Sequence, residues 1–113
     1  MNNTIEVVDL HEKLNQELRR GALALAVLAC LQEEKYGYAL IDELAGHGLE
    51  IDQGTLYPLL RRLEEQGLLQ SEWKVEGSRP RRYYVISPSG KELLTVLGND
   101  WRQMASVMEE LLR

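Results

Sequence analysis

The sequence is poor in the side chains that build covalent or metal chemistry. Its one cysteine, Cys30, excludes an internal disulfide and suits a reducing compartment. One thiol and two well-separated histidines, His11 and His47, cannot assemble a zinc site, so neither a metal nor another cofactor is expected. The longest apolar run, Gly21 to Leu31, falls well short of the about 20 residues that cross a bilayer. No small-residue cleavage site follows it, so it does not read as a signal peptide. A soluble, cytoplasmic protein without a membrane partner is the expectation. There is no Gly-x-Ser-x-Gly and no phosphate loop, and the neighbouring Glu64-Glu65 converge on nothing, so enzymatic activity is not expected.

A basic balance is also missing. The net charge of the 113 residues is −5, which taken as an average disfavours a nucleic-acid partner. The distribution reverses that inference. Between Gly77 and Lys91 stand Arg79, Arg81, Arg82 and Lys91 with no acid among them, so one segment can steer a face of the molecule to phosphate. A hydrophobic content of 44% and a charged content of 27% are ordinary for a globular chain. The length fits one domain that can bury a core without staples.

Residues 1–8 are expected to fray. Leu10, Leu14 and Leu18 then recur every four residues, as in a short amphipathic helix. Ala22 to Leu31 is apolar on nearly all sides, as a helix in the middle of a core would be. Gly37 separates it from a second helix over Tyr38 to Ala45, which turns Ala39, Leu40 and Leu44 inward and ends at Gly46 and Gly48. Asp52 is a good N-cap for a third helix. In that helix Leu56, Leu60 and Leu63 form one buried stripe, Pro58 removes a backbone donor near the start, and Gly67 closes the element. Leu69 to Val75 and Arg82 to Ile86 read as strands around a turn-rich loop, Glu76 to Arg81. Ser87-Pro88 supplies an N-cap and first-turn proline for a long last helix.

Three helices, a hairpin and a helix make the order of a winged helix-turn-helix. The expected fold is mainly α (α+β), with a two-stranded wing and a C-terminal dimerisation helix. Residues 1–18 read as an N-terminal helical arm, 19–87 as the DNA-binding domain and 88–113 as the dimerisation helix. A helix fits the major groove, whose base edges carry a distinct donor and acceptor code. An arginine-bearing hairpin can reach phosphates or an adjacent groove.

Several segments resemble the PadR-type regulators. They are Leu18-Arg19-Arg20-Gly21, Tyr36-Gly37-Tyr38-Ala39-Leu40, Gly54 to Glu64, Glu65-Gln66-Gly67-Leu68-Leu69 and Arg82-Tyr83-Tyr84, with Gly54-Thr55-Leu56-Tyr57-Pro58 the most specific. The chain departs from the family pattern at Tyr36, where His is usual, and at Ser87-Pro88, where Thr is more usual; its last helix resembles that of compact members. The resemblance implies a repressor or regulator of a nearby operon, responsive to phenolic compounds, drugs or other stress signals, and without enzymatic activity.

On the third helix Gln53, Tyr57 and Arg61 fall on one line off the leucine stripe, with Thr55 beside them. Gln, Arg and Thr suit base edges, whereas Tyr57 can instead donate its hydroxyl to a phosphate; a merely solvated face is the plain alternative. Arg62 suits either phosphate or Glu65. Arg79, Arg81 and Arg82 crowd the wing around Pro80, and Lys74 lies on the same hairpin, which favours phosphate or minor-groove contact. Tyr38, opening the second helix, can face phosphate or pack on the wing. Tyr83 and Tyr84, adjacent in a strand, must face opposite ways, one to the core and one outward. Trp73 reads as a packing residue of the wing strand, and Cys30 as an inert core thiol.

In the last helix Leu94, Leu97, Trp101, Met104, Met108 and Leu111 are spaced 3, 4, 3, 4 and 3, the seam of a coiled coil. Leu93, Val107 and Leu112 widen this face beyond what one small domain needs, which implies a homodimer. The stripe Leu10, Leu14 and Leu18 is the natural further partner. Trp101 fills that dimer core or, alternatively, lines a pocket for a small aromatic or phenolic effector, as the resemblance suggests. The expected partners are therefore double-stranded DNA, a second copy and such a ligand. The rival reading is a winged-helix protein–protein adaptor working through the acidic surface, which leaves the three wing arginines unexplained.

Overall fold

A computed structural model describes residues 3–113, with side chains from Glu6 onward. The order is α1 (Asn3–Cys30), β1 (Lys35–Tyr36), α2 (Gly37–Gly46), α3 (Gln53–Glu65), β2 (Leu69–Glu76), β3 (Arg79–Ile86) and α4 (Pro88–Leu111). The fold is mainly helical with one small antiparallel sheet, ordered β1-β3-β2.

Helix α1 corrects two expectations. The arm and the first core helix are one element, and residues 3–8 belong to it; residues 1 and 2 lie outside the described part. Gly21 does not divide it, because a lone glycine costs only about 1 kcal/mol in a helix interior and no proline or cap accompanies it. Nor is Ala22 to Leu31 immersed on all sides. Leu23, Val27, Leu28 and Leu31 enter the core, whereas Leu25 is half-buried and Ala29 exposed.

The sheet has three strands rather than the two expected of the wing. Strand β1 pairs Lys35 with Tyr84 and Tyr36 with Tyr83. It is held from behind by Lys35, which donates to the Cys30 carbonyl at 2.8 Å and pairs with Glu43 at 3.2 Å. The hairpin strands also run further than expected. Glu76 pairs with Arg79, so Arg79, Pro80 and Arg81 are strand residues and only Gly77-Ser78 turns. Gly77 takes φ +64° and Ser78 does not follow it into that region, the pattern of a two-residue hairpin turn with glycine first.

The core is almost wholly leucine: Leu28 of α1 and Leu31 just past its end, Leu40 and Leu44 of α2, Leu56, Leu59, Leu60 and Leu63 of α3, closed by Leu69, Tyr84 and Ile86 of the sheet. Ala39 is only half-buried. Asp52 caps α3 as expected, its Oδ1 accepting from the Thr55 amide at 2.8 Å. Ser87 caps α4 by accepting from the Gly90 amide at 3.0 Å and donates to the Gly67 carbonyl at 2.6 Å, which fastens α4 to the end of α3. Gly90 is needed there, since a Cβ would lie 2.2 Å from the Leu68 carbonyl oxygen. Beyond this anchor α4 passes the second half of α1 at Leu25 and Ala29, and its last turns, like the first half of α1, expose large apolar side chains.

Candidate nucleic-acid interface

Helices α2 and α3 pack at the edge of the hairpin and leave a cleft of about 550 Å³ between α3 and the wing. Its lining carries Arg61, Arg79, Arg81 and Arg82, five aromatic rings and no carboxylate. The basic segment of the sequence is thereby brought beside the polar face of α3.

Tyr57 and Arg61 line this cleft, whereas Gln53 lines a neighbouring hollow with Tyr38 and Ile41. The Gln53 amide donates to the Tyr38 hydroxyl at 2.6 Å, so the exposed ends of α2 and α3 are joined at the surface. Tyr57 is half-buried over Gly37, where a Cβ would come within 2.5 Å of its hydroxyl. Burial, and then the neighbouring Tyr38, push the Tyr57 phenol above its ordinary value. It therefore remains a donor at neutral pH. Thr55 is exposed but turned elsewhere. It lines a second hollow, of about 530 Å³ between α1 and α3, with Arg19, Arg20 and Arg62.

The wing cations divide. The Arg79 side chain has no hydrogen bond or ion pair among the described residues. Arg81 stacks 4.4 Å over the Tyr36 ring, which holds the guanidinium without neutralising it. Arg82 is bound inward: it donates to Glu64 of α3 at 3.1 Å and to Ser71 at 3.0 Å. Lys74 sits on the outer face of the hairpin, paired with Glu34 and, at 3.6 Å, with Glu72; the bond to Glu34 holds its ammonium above the ordinary value. On that face Tyr83 donates to Glu76 at 2.6 Å, while Tyr84 points to the core.

Two features of the cleft escape sequence reasoning. Tyr36, read only as part of a motif, supplies the platform for Arg81. Trp73, expected to pack, is 65% exposed in the cleft mouth. Strand alternation holds the signal: Trp73 shares a face with Leu69 but lies about 13 Å further along, past the helices that bury Leu69.

The family profile described as Transcriptional regulator PadR-like family matches residues 27–96. The chain belongs to the PadR-like family. Transcriptional regulator Rv3488 of Mycobacterium tuberculosis is 40% identical over 98 residues, covering 86% of this chain and 89% of that one. The crystal structure of a PadR family transcriptional regulator from Eggerthella lenta matches with a TM-score of 0.86 and 44% identity, over 96% of this chain and 97% of the other. A PadR-like regulator of Bacillus cereus matches with a TM-score of 0.78 and 30% identity, over 86% and 97%. This PadR-like chain is thus a winged-helix transcriptional regulator.

Outside the cleft, Leu94 and Leu97 are half-buried against α1, whereas Leu10, Leu14, Trp101, Met104, Met108 and Leu111 are exposed. Trp101 borders a hollow of about 400 Å³ with Leu25, Ala29 and Leu94. Burial and then Glu43 raise the Cys30 thiol, which keeps it protonated and unreactive at neutral pH. No helix among the described residues is long and apolar enough to cross a membrane.

Proposed function

We propose that the protein is a homodimeric repressor that binds a dyad-symmetric operator. The observation that carries this reading is the cleft itself: four arginines and no carboxylate between a helix that fits the major groove and a hairpin that reaches past it. Gln53 and Arg61 read base edges, with Thr55 at the rim of α3. Tyr38 and Tyr57 donate to phosphate, as do Arg79 and Arg81 from the wing. Lys74 and Arg82, held by their carboxylate partners, support the interface by fixing the hairpin rather than by net charge. In this reading residues 1–18 act as an arm, 19–87 as the DNA-binding unit and 88–113 as the dimerisation helix.

The dimer is supported by the shape of the chain. Its radius of gyration is 16.8 Å, against about 13 Å for a compact domain of this length. The excess comes from α1 and α4, whose apolar faces Leu10–Leu14 and Trp101–Leu111 need a second copy to cover them. Repression follows as the sign of action because occupancy of a promoter suffices for it. A flat aromatic effector entering beside Trp101 would change the spacing of the two recognition helices and release the operator.

Selection of duplexes from a randomised library tests the whole reading. A consensus with two inverted half-sites is expected, and Gln53→Ala should relax it at one or two positions per half-site, each worth about 1–3 kcal/mol. No enrichment of any duplex at low salt sinks the reading. Quenching of Trp101 fluorescence by phenolic acids, with loss of operator binding, tests the effector.

A further inference from the structure

We infer that Trp73 is a DNA-contacting residue of the wing, an apolar finger that enters the minor groove flanking the half-site read by α3. The inference rests on the DNA-binding reading above and adds a contact of a different chemistry. Trp73 and Val75 are 65% and 74% exposed, large values for apolar side chains on the inner face of a sheet. Pro80 stands opposite Val75 in the register, so the three form one apolar tip facing the cleft. The ring is positioned rather than loose. Arg82 lies 5.8 Å beneath it and is itself fixed by Glu64 of α3 and by Ser71, so the recognition helix sets where the tip projects.

The charge around the tip selects the occupant. The inner face of the hairpin has no carboxylate of its own, and the one that approaches, Glu64, is taken by Arg82 and Ser71. Arg61 borders the same cleft from α3, and Arg79 and Arg81 line its edge from strand positions that alternate with the tip. An apolar tip with Arg82 on its own face and Arg61 on the facing helix suits deoxyribose and base edges between two rows of phosphates, the setting in which apolar side chains act as wedges. A protein partner would find no acid-lined or extended apolar surface to match.

The test uses the full chain and a duplex of the consensus it selects. Trp73→Ala should weaken binding roughly tenfold while leaving the salt slope unchanged, because no phosphate contact is lost. Trp73→Phe should restore most of the affinity. In a Trp101→Phe background, which leaves Trp73 as the single indole, its fluorescence should change on adding the duplex. Replacing inosine by guanosine in the flank adds an amino group to the minor groove alone, and should weaken the parent more than Trp73→Ala. Full affinity in Trp73→Ala, or an indole signal indifferent to duplex, overturns the inference and leaves the DNA-binding reading standing. A parent that binds no duplex overturns both.

Discussion

The two halves of α1 are built from the same kind of residues and meet opposite fates. In the second half, Leu23, Val27 and Leu28 are buried, with Leu31 just beyond the helix, in one core with α2, α3 and the sheet. In the first half, Leu10, Leu14 and Leu18 recur with the same helical spacing and are 55%, 61% and 75% exposed. Helix α4 repeats the contrast, from the anchored Gly90 and Leu94 to the exposed Met104, Met108 and Leu111. Amphipathic pattern alone therefore says that a face will be covered, not what covers it. The inner halves are stabilised by this chain's own core, and in the dimer proposed above a second copy covers the outer halves.

The largest expected effect separates those halves through function. Leu97→Asp with Met104→Asp should give a folded monomer by sedimentation, with operator affinity down by about 10²- to 10⁴-fold, the usual gain from tethering two binding units. A variant that remains dimeric places the interface elsewhere and erases the contrast.

Next come two single truncations. Leu28→Ala removes a side chain that is 1% exposed and should cost about 2–5 kcal/mol. That loss should be independent of protein concentration in the folded monomer background. Leu14→Ala should cost little in that background, about 0.5 kcal/mol or less. In the parent it should instead lower the melting temperature in a concentration-dependent way, because a dimer's stability follows mass action. Equal, concentration-independent losses from both would mean that the first half of α1 is stabilised within one chain.

A smaller effect divides the wing. Arg79→Ala with Arg81→Ala should flatten the salt dependence of binding by about 0.9 in log–log slope for each phosphate released, and weaken all sequences alike. Arg82→Ala should keep the slope and lose stability, since it leaves Glu64 and Ser71 without their partner. If Arg82→Ala flattens the slope as much as the double variant, its bond to Glu64 opens on DNA.

What the sequence makes legible follows from how local each signal is. Helix α3 can be read because its cap at Asp52 and its stripe of Leu56, Leu60 and Leu63 coincide, and α4 because Ser87-Pro88 starts it without ambiguity. Strand β1 cannot, since two residues carry no periodicity and Lys35-Tyr36 is a strand only because β3 lies beside it. The unity of α1 is hidden because its pattern changes near Gly21, from a one-sided leucine stripe to a run apolar on nearly all sides, which reads as two helices. Within the candidate site the residue types are legible and their allegiances are not. Arg79, Arg81 and Arg82 look alike in sequence, yet only Arg82 meets Glu64, eighteen positions away. Trp73 misleads for the complementary reason, because hydrophobicity predicts burial and the strand simply outruns its helices.

The smallest expected effect concerns the floor of the cleft at high pH. Tyr57 has its phenol raised above the ordinary value of 10.0, first by burial and then by Tyr38. Tyr84, buried beneath the sheet, is raised mainly by the same cause, with Arg82 opposing. For a phenol the neutral form is the protonated one, so a raised value means that the folded chain holds the proton more tightly than the unfolded chain. The resulting stability is fully present below the ordinary value and is lost as pH rises through the folded one. Denaturant midpoints should therefore hold level up to about pH 9 and decline above about pH 10. Tyr57→Phe removes one of the titrating groups while keeping the ring over Gly37, so its decline should be shallower than the parent's. Since the hydroxyl also serves phosphate in the proposed complex, the same variant should bind duplex more weakly at neutral pH, where its stability is unchanged. An alkaline decline identical to the parent's would show that Tyr57 is solvated in solution and that the α2–α3 end of the cleft is more open than its packing over Gly37 implies.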